Sequence, residues 1–243
     1  MLVLSPLLVP LFTALLTALL AKHAALRKGV SLLGAIVLLL CAILLFVEVT
    51  QDGRQSVALG NWPLPYAIEL AADRLSAALL LITAILGTAV LLYQRRWNEA
   101  AMHAPGLHPL LHALLASTGA VFLAADLFNL YVWFELMLIS VLGLLVLGGA
   151  RPHREAAFKY FAVSMLGTLL LLVAVGLLYG ATGQLNFAAL REAALRPELA
   201  GALPVYVGLL LLAFLLKAGA FPLFTWLPAS YHTLPAPLLA LVG

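Results

Sequence analysis

Charge is scarce in this chain. Only 9% of its 243 residues are Asp, Glu, Lys or Arg, against the roughly 25% with which a soluble domain covers its surface. Cysteine is almost missing: Cys41 stands alone, which excludes an internal disulfide, a secreted disulfide scaffold and a cysteine-based metal site. The formal net charge of +3 is scattered through short connecting segments and gathers on no basic face, so a nucleic-acid binder is excluded, as is a charged disordered tail. No Gly-rich phosphate loop, nucleophile elbow or Cys cluster is present, so no cofactor is expected. What the chain does have is apolar surface: 65% of residues are hydrophobic and the mean hydropathy is +1.12. Such a chain is solvated mostly by lipid, and the expected class is an all-α, polytopic membrane protein.

A helix crosses the hydrocarbon with about 20 mostly apolar residues. Stretches of that kind run over residues 2–21, 29–50, 75–93, 107–125, 127–149, 156–179 and 203–224, and an eighth begins near Pro235. This predicts seven to eight transmembrane helices forming a single unit over 1–243. The first stretch lacks a basic n-region and a small-residue cleavage site, so it reads as a retained span. The longest connections, 51–72 and 182–202, are too short to bury a core of their own. Basic residues resist translocation. The segments after the first, third and fifth spans carry Lys22, Arg27, Lys28, Arg95, Arg96, Arg151 and Arg154, whereas the longer alternate segments carry only Arg54, Arg74, Arg191 and Arg196. The N-terminus is therefore expected on the outer side.

Ionisable groups inside spans are the informative ones, since each costs at least about 2.5–3.5 kcal/mol at mid-bilayer. Glu135 and Lys217 both lie deep in apolar runs. As a buried ion pair they could simply pin two helices together. However, such a pair adds little stability over apolar packing, and intramembrane ionisable groups mark ion pathways, which favours a proton relay. After Lys217, Gly219, Pro222 and Pro228 interrupt the hydrophobic sequence, so the seventh span is expected to break near Phe221-Pro222 and resume through Phe224 to Pro228. A broken helix beside a charge points to a transporter's ion site.

Other candidates are weaker. Lys159 follows Glu155 by four residues, a spacing suited to a helical ion pair, and reads either as a snorkelling lysine or as an auxiliary proton carrier. His232, after the break, reads as a second auxiliary carrier or as an interfacial hydrogen-bonding group. His108 and His112 share a helix face but have no third ligand nearby, so no metal is expected. Asp73, Arg74 and Asp126 fall at span ends, where ordinary solvation accounts for them. Gly176 and Gly180 form a GxxxG pair suited to close helix packing.

Three segments carry a resemblance. Phe128-Asn-Leu-Tyr-Val-Trp-Phe-Glu135, Phe158-Lys-Tyr-Phe161 and the run from Lys217 to His232 resemble the antiporter-like subunits shared by Mrp-type cation/proton antiporters, respiratory complex I and membrane-bound hydrogenases. The residues 226–233 and 70–77 are most similar to the D-type subunits of the Mrp branch, because complex I relatives more often read Trp-Leu-Pro-Asp-Ala-His where this chain has Ala229 and Tyr231. The resemblance covers nearly the whole chain. It implies a fold of two inverted five-helix units, spans four to eight and nine to thirteen, each with one broken helix, of which this chain carries the N-terminal half. It also implies that Glu135 and Lys217 form the proton-transfer pair and that Lys159 is auxiliary. The function so implied is that of a proton-translocating subunit of a multisubunit Na⁺/H⁺ antiporter in the bacterial inner membrane, with other antiporter subunits, lipid, protons and sodium as partners. The alternative is a proton-pumping, non-redox subunit of a complex I-like oxidoreductase or hydrogenase; a structural membrane piece without transport is the third.

Overall fold

The computed structural model describes residues 2–61, 67–94 and 100–242. Arg95 and Arg96, used for orientation, and the terminal Gly243 lie outside the described residues. The chain folds as α1 (Ser5–Leu19), α2 (Ala24–Asp52), β1 (Gln55–Ala58), β2 (Glu69–Ala72), α3 (Arg74–Tyr93), α4 (Ala100–His103), α5 (Leu107–Leu123), α6 (Leu127–Val146), α7 (Arg151–Thr182), α8 (Phe187–Ala193), α9 (Leu203–Lys217), α10 (Trp226–Tyr231) and α11 (Ala236–Val242). Among the described residues, five helices are long and apolar enough to cross a membrane: Leu2–Leu19, Ala24–Asp52, Arg74–Tyr93, Leu127–Val146 and Arg151–Thr182. Leu107–Leu123 and Leu203–Lys217 are apolar but shorter.

The surface is rich in apolar side chains. Large apolar side chains such as Phe12, Leu19, Leu33, Leu40, Val173 and Leu211 point outward. The interior holds two packed clusters. One gathers Leu38, Leu45, Leu80, Leu115 and Leu144. The other joins α6, α7 and α9 through Leu130, Leu171, Val175 and Ala213. The GxxxG expectation is not met within this chain: among the described residues a Cβ on Gly176 or Gly180 would meet nothing within 4 Å, so neither seats a helix of this chain. Two glycines four apart place small residues on one helix face, but only a partner helix turns that face into an interface.

Helix starts follow their side chains. Asp73 accepts from the Ser76 amide at 2.8 Å, while the Ser76 hydroxyl accepts from the Asp73 amide, a reciprocal cap for α3. Asp126 caps α6 by accepting from the Asn129 amide at 2.6 Å, and Asn186 caps α8 by accepting from the Ala188 amide at 2.9 Å. Helix α7 starts at Arg151, well before the apolar run beginning at Ala156, because Pro152 suits a first helical turn and the polar turn that follows continues the helix beyond its apolar part.

The connection 51–72, expected as a plain loop, contains an antiparallel hairpin pairing Gln55 with Ala72 and Ala58 with Glu69. Its second strand meets the α5–α6 turn, where the Ala125 amide donates to the Glu69 carbonyl at 3.1 Å. That turn is in turn tied to the start of α8: the Phe187 amide donates to the Ala125 carbonyl at 2.9 Å and the Leu127 amide to the Leu185 carbonyl at 3.0 Å. Three connections that charge counting places on one side therefore form one layer at one end of the bundle. This layer buries Asp126 at 7% exposure, so its expected solvation is corrected. Asp73 and Arg74 are exposed, as expected.

Candidate functional site

Helix α9 ends at Lys217, several residues before the break expected at Phe221-Pro222 and well short of the expected span end at 224. Gly219 turns the chain with φ +57, a conformation that favours glycine, and a Cβ there would come within 2.2 Å of the Leu227 side chain. A short 3₁₀ turn over Leu223–Thr225 leads into α10, and the Phe221-Pro222 peptide is cis. The carbonyls freed where the helix stops need partners at membrane depth. Trp226 supplies one: its indole Nε1–H donates to the Leu216 carbonyl at 3.1 Å.

The broken segment is held on α7 by three rings. Tyr160 lies 5.8 Å from Trp226 and 6.1 Å from Tyr231, centroid to centroid, and Trp226 lies 5.7 Å from Tyr231 in an edge-to-face arrangement. Such geometries are favourable beyond simple burial. They also set α10 so that the end of α11 closes a cavity of about 310 Å³ against α3, α5, α6 and α7.

Lys217 lines this cavity together with Thr83, Thr118, Tyr160, Ser164 and Tyr231. It is half-buried, its stem passing Gly167 of α7, where an added Cβ would lie 3.5 Å from its Cγ. Its ammonium sits 4.6 Å from the centre of the Phe134 ring, a cation–π contact. Glu135, the next residue on α6, is also half-buried and lies within electrostatic range of Lys217 and of the Tyr131 and Tyr160 hydroxyls. Among the described residues the ion pairs within 4.0 Å are Arg54–Glu69 and Arg151–Glu155, so Glu135 and Lys217 are neighbours without direct contact.

The remaining candidates are placed as follows. Lys159 is exposed on α7, and Glu155 pairs backward with Arg151 at 2.7 Å, which corrects the expected Glu155–Lys159 pair. Both partners lie one turn away, and the guanidinium in the open first turn takes the carboxylate. His232 is exposed, with its Nδ1–H donating to the Pro228 carbonyl at 3.1 Å, whereas its neighbour Tyr231 turns into the Lys217 cavity. His112 Nε2 lies 2.9 Å from the Ser31 hydroxyl and 3.1 Å from the Ser31 carbonyl. No group of three or more His, Cys, Asp or Glu that could hold a metal occurs among the described residues. Sequence reasoning misses Thr83, Thr118, Tyr160 and Ser164. The spacing of Tyr160 and Ser164, i and i+4 on the helix beside Lys217, is the one signal that could have found any of them.

This is the architecture of an antiporter-like membrane subunit, in which a helix is interrupted beside a half-buried lysine that faces a partly polar cavity. The family described as "NADH:quinone oxidoreductase/Mrp antiporter, TM" matches residues 124–243, the portion that holds Glu135, Lys217 and the break. Residues 124–243 thus carry the membrane domain of that family. The chain is 36% identical to the D-type Na⁺/H⁺ antiporter subunit of Alkalihalophilus pseudofirmus over 242 residues, which is 100% of this chain and 49% of that protein. Among solved structures it is similar to a chain of the Mrp complex from Dietzia sp., with a TM-score of 0.88 and 25% identity over 99% of this chain and 45% of that one. It is equally similar to a chain of an archaeal membrane-bound sulfane sulfur reductase, with a TM-score of 0.88 and 26% identity over 98% of this chain and 49% of the other. The chain thus spans about half the length of the relatives it matches.

Proposed function

We propose that this chain is the proton-translocating part of a multisubunit monovalent-cation/proton antiporter, working in one membrane unit with other antiporter subunits, and that protons pass between Glu135 and Lys217. The observation that carries the reading is the position of Lys217. It is the last residue of an interrupted helix, facing a cavity with four hydroxyl-bearing side chains besides Tyr231, and it stacks on Phe134, the residue next to Glu135. When Lys217 approaches Glu135 the pair shares charge, and when it withdraws to Phe134 the carboxylate's hold on its proton is lost and the proton moves on through cavity water and hydroxyls. Lys159 and His232, both exposed, are proposed only as auxiliary carriers toward the water phases.

Similarity along the whole chain to a D-type Na⁺/H⁺ antiporter subunit supports the antiporter branch. The likeness to a respiratory membrane complex supports the second reading, a proton-pumping subunit of a redox-driven assembly, with the same pair in the same role. In everted vesicles containing the assembled complex, Glu135→Ala or Lys217→Ala is expected to abolish sodium-dependent collapse of the pH gradient without loss of assembled protein. Wild-type collapse in either variant contradicts the proposal. Loss of proton pumping driven by an electron donor, with no response to sodium, selects the second reading.

A further inference from the structure

A second cavity lies at the hairpin end of the bundle. It measures about 600 Å³ and carries charge of both signs, lined by Arg54, Asp73, Ser76, Asn186, Arg191 and Glu192 among others. One side chain lines both this vestibule and the Lys217 cavity: Phe122 of α5.

Two helices run past both cavities. On α5, Leu114, Thr118 and Phe122 line the inner cavity at successive turns, and the chain then continues through Ala124 and Ala125 along the vestibule wall. On α3, Ser76 lines the vestibule and Thr83 the inner cavity, seven residues apart on one face, which is about 10 Å of helix. The two cavities are therefore stacked along the α3–α5 seam. Between Ser76 and Thr83 on that face sits Leu80, which is 1% exposed and packs where a Cβ on Gly119 would approach its Cδ1 to 2.9 Å. Gly119 is one turn before Phe122.

We propose that Phe122, backed by Leu80, is an apolar plug that separates the outer vestibule from the Lys217 cavity and sets whether water joins them. A constriction lined only by apolar side chains excludes water, and enlarging it admits a continuous file. Rotation of one aromatic side chain would connect Thr118 and the hydroxyls around Lys217 to the charged mouth that Arg54, Asp73, Arg191 and Glu192 line. What crosses the plug rests on the proposed proton-transfer reading; the plug itself rests on the shared wall alone.

The test reads water access, not transport. In the assembled complex, with Cys41→Ala to remove the native thiol, single cysteines are introduced by Thr118→Cys in the inner cavity or by Glu192→Cys in the vestibule. A cationic, membrane-impermeant methanethiosulfonate is then added from each side in turn, and the Glu192→Cys rate identifies the vestibule side and normalises for assembly. With Phe122 intact, Thr118→Cys is expected to react slowly relative to Glu192→Cys. Phe122→Ala raises that ratio at least tenfold from the vestibule side, while Phe122→Trp leaves it unchanged or lower. If Phe122→Ala fails to assemble, Phe122→Val is expected to shift the ratio the same way by a smaller factor. An unchanged ratio in the smaller variants, or faster labelling only from the opposite side, overturns the plug. Retained antiport in Lys217→Ala would sink the proton-transfer reading and leave the labelling result standing.

Discussion

Asp73 and Trp226 each satisfy a backbone group at a helix end. The Ser76 amide beside the Asp73 carboxylate holds its pKa below the ordinary 3.8. A depressed folded-state value means the cap contributes in full above the ordinary value and is lost as pH falls through the lowered one. Asp73→Ala is expected to destabilise the start of α3 by about 1 kcal/mol at neutral pH. In detergent melts, the gap between wild type and variant should close as the buffer is taken below the ordinary carboxylate range; a gap that widens on acidification contradicts the assignment. Trp226→Phe keeps the ring but removes the donor to the Leu216 carbonyl. The Leu216 carbonyl keeps the Gly219 amide at 3.2 Å but loses the indole donor, a loss of about 0.5–1.5 kcal/mol that the same melts read against a neutral outcome.

The lysine at the end of α9 passes α7 at a small residue, Gly167. With Gly167 in place the Lys217 stem lies against the helix. Gly167→Ala adds an atom at ordinary contact distance and is expected to leave transport nearly intact. Gly167→Leu pushes the stem aside and should lower sodium-dependent proton movement at least tenfold while the complex still assembles; equal rates in the two variants contradict this role. At this scale much is legible from sequence. The apolar runs locate most of the helices to within a few residues, since lipid demands a continuous apolar stretch. The break is legible as an interruption by Gly219, Pro222 and Pro228, but not its start at Lys217. Proline marks where a helix cannot continue, while the actual stop depends on the Gly219 turn and the Trp226 donor, which tertiary contacts supply. Glu135 and Lys217 stand out because charge in an apolar run is costly. The hydroxyls around Lys217 do not, because Ser and Thr within a helix can bond their own backbone, and only the i, i+4 spacing of Tyr160 and Ser164 marks any of them.

Across the whole molecule the two ends of the bundle differ. One carries the hairpin, the α5–α6 turn and α8, tied by main-chain hydrogen bonds and by Asn186, whose side-chain amide donates to the Glu69 carboxylate at 2.8 Å. Asn186→Ala removes that donor and the α8 cap together and is expected to lower the melting temperature by several degrees, with no change if the layer is held by its backbone alone. Between the ends, the Lys217 cavity lies beside the α9 break and its aromatic brace. The central claim is that Lys217 releases and regains a proton, as opposed to serving as a fixed positive charge that holds helices together. Lys217→Arg tests this most directly. A guanidinium keeps the charge and the stacking on Phe134 but does not give up its proton in a protein. With sodium-dependent proton flux measured in everted vesicles at equal amounts of assembled complex, Lys217→Arg should be as inactive as Lys217→Ala; flux near the wild-type level in Lys217→Arg contradicts the account.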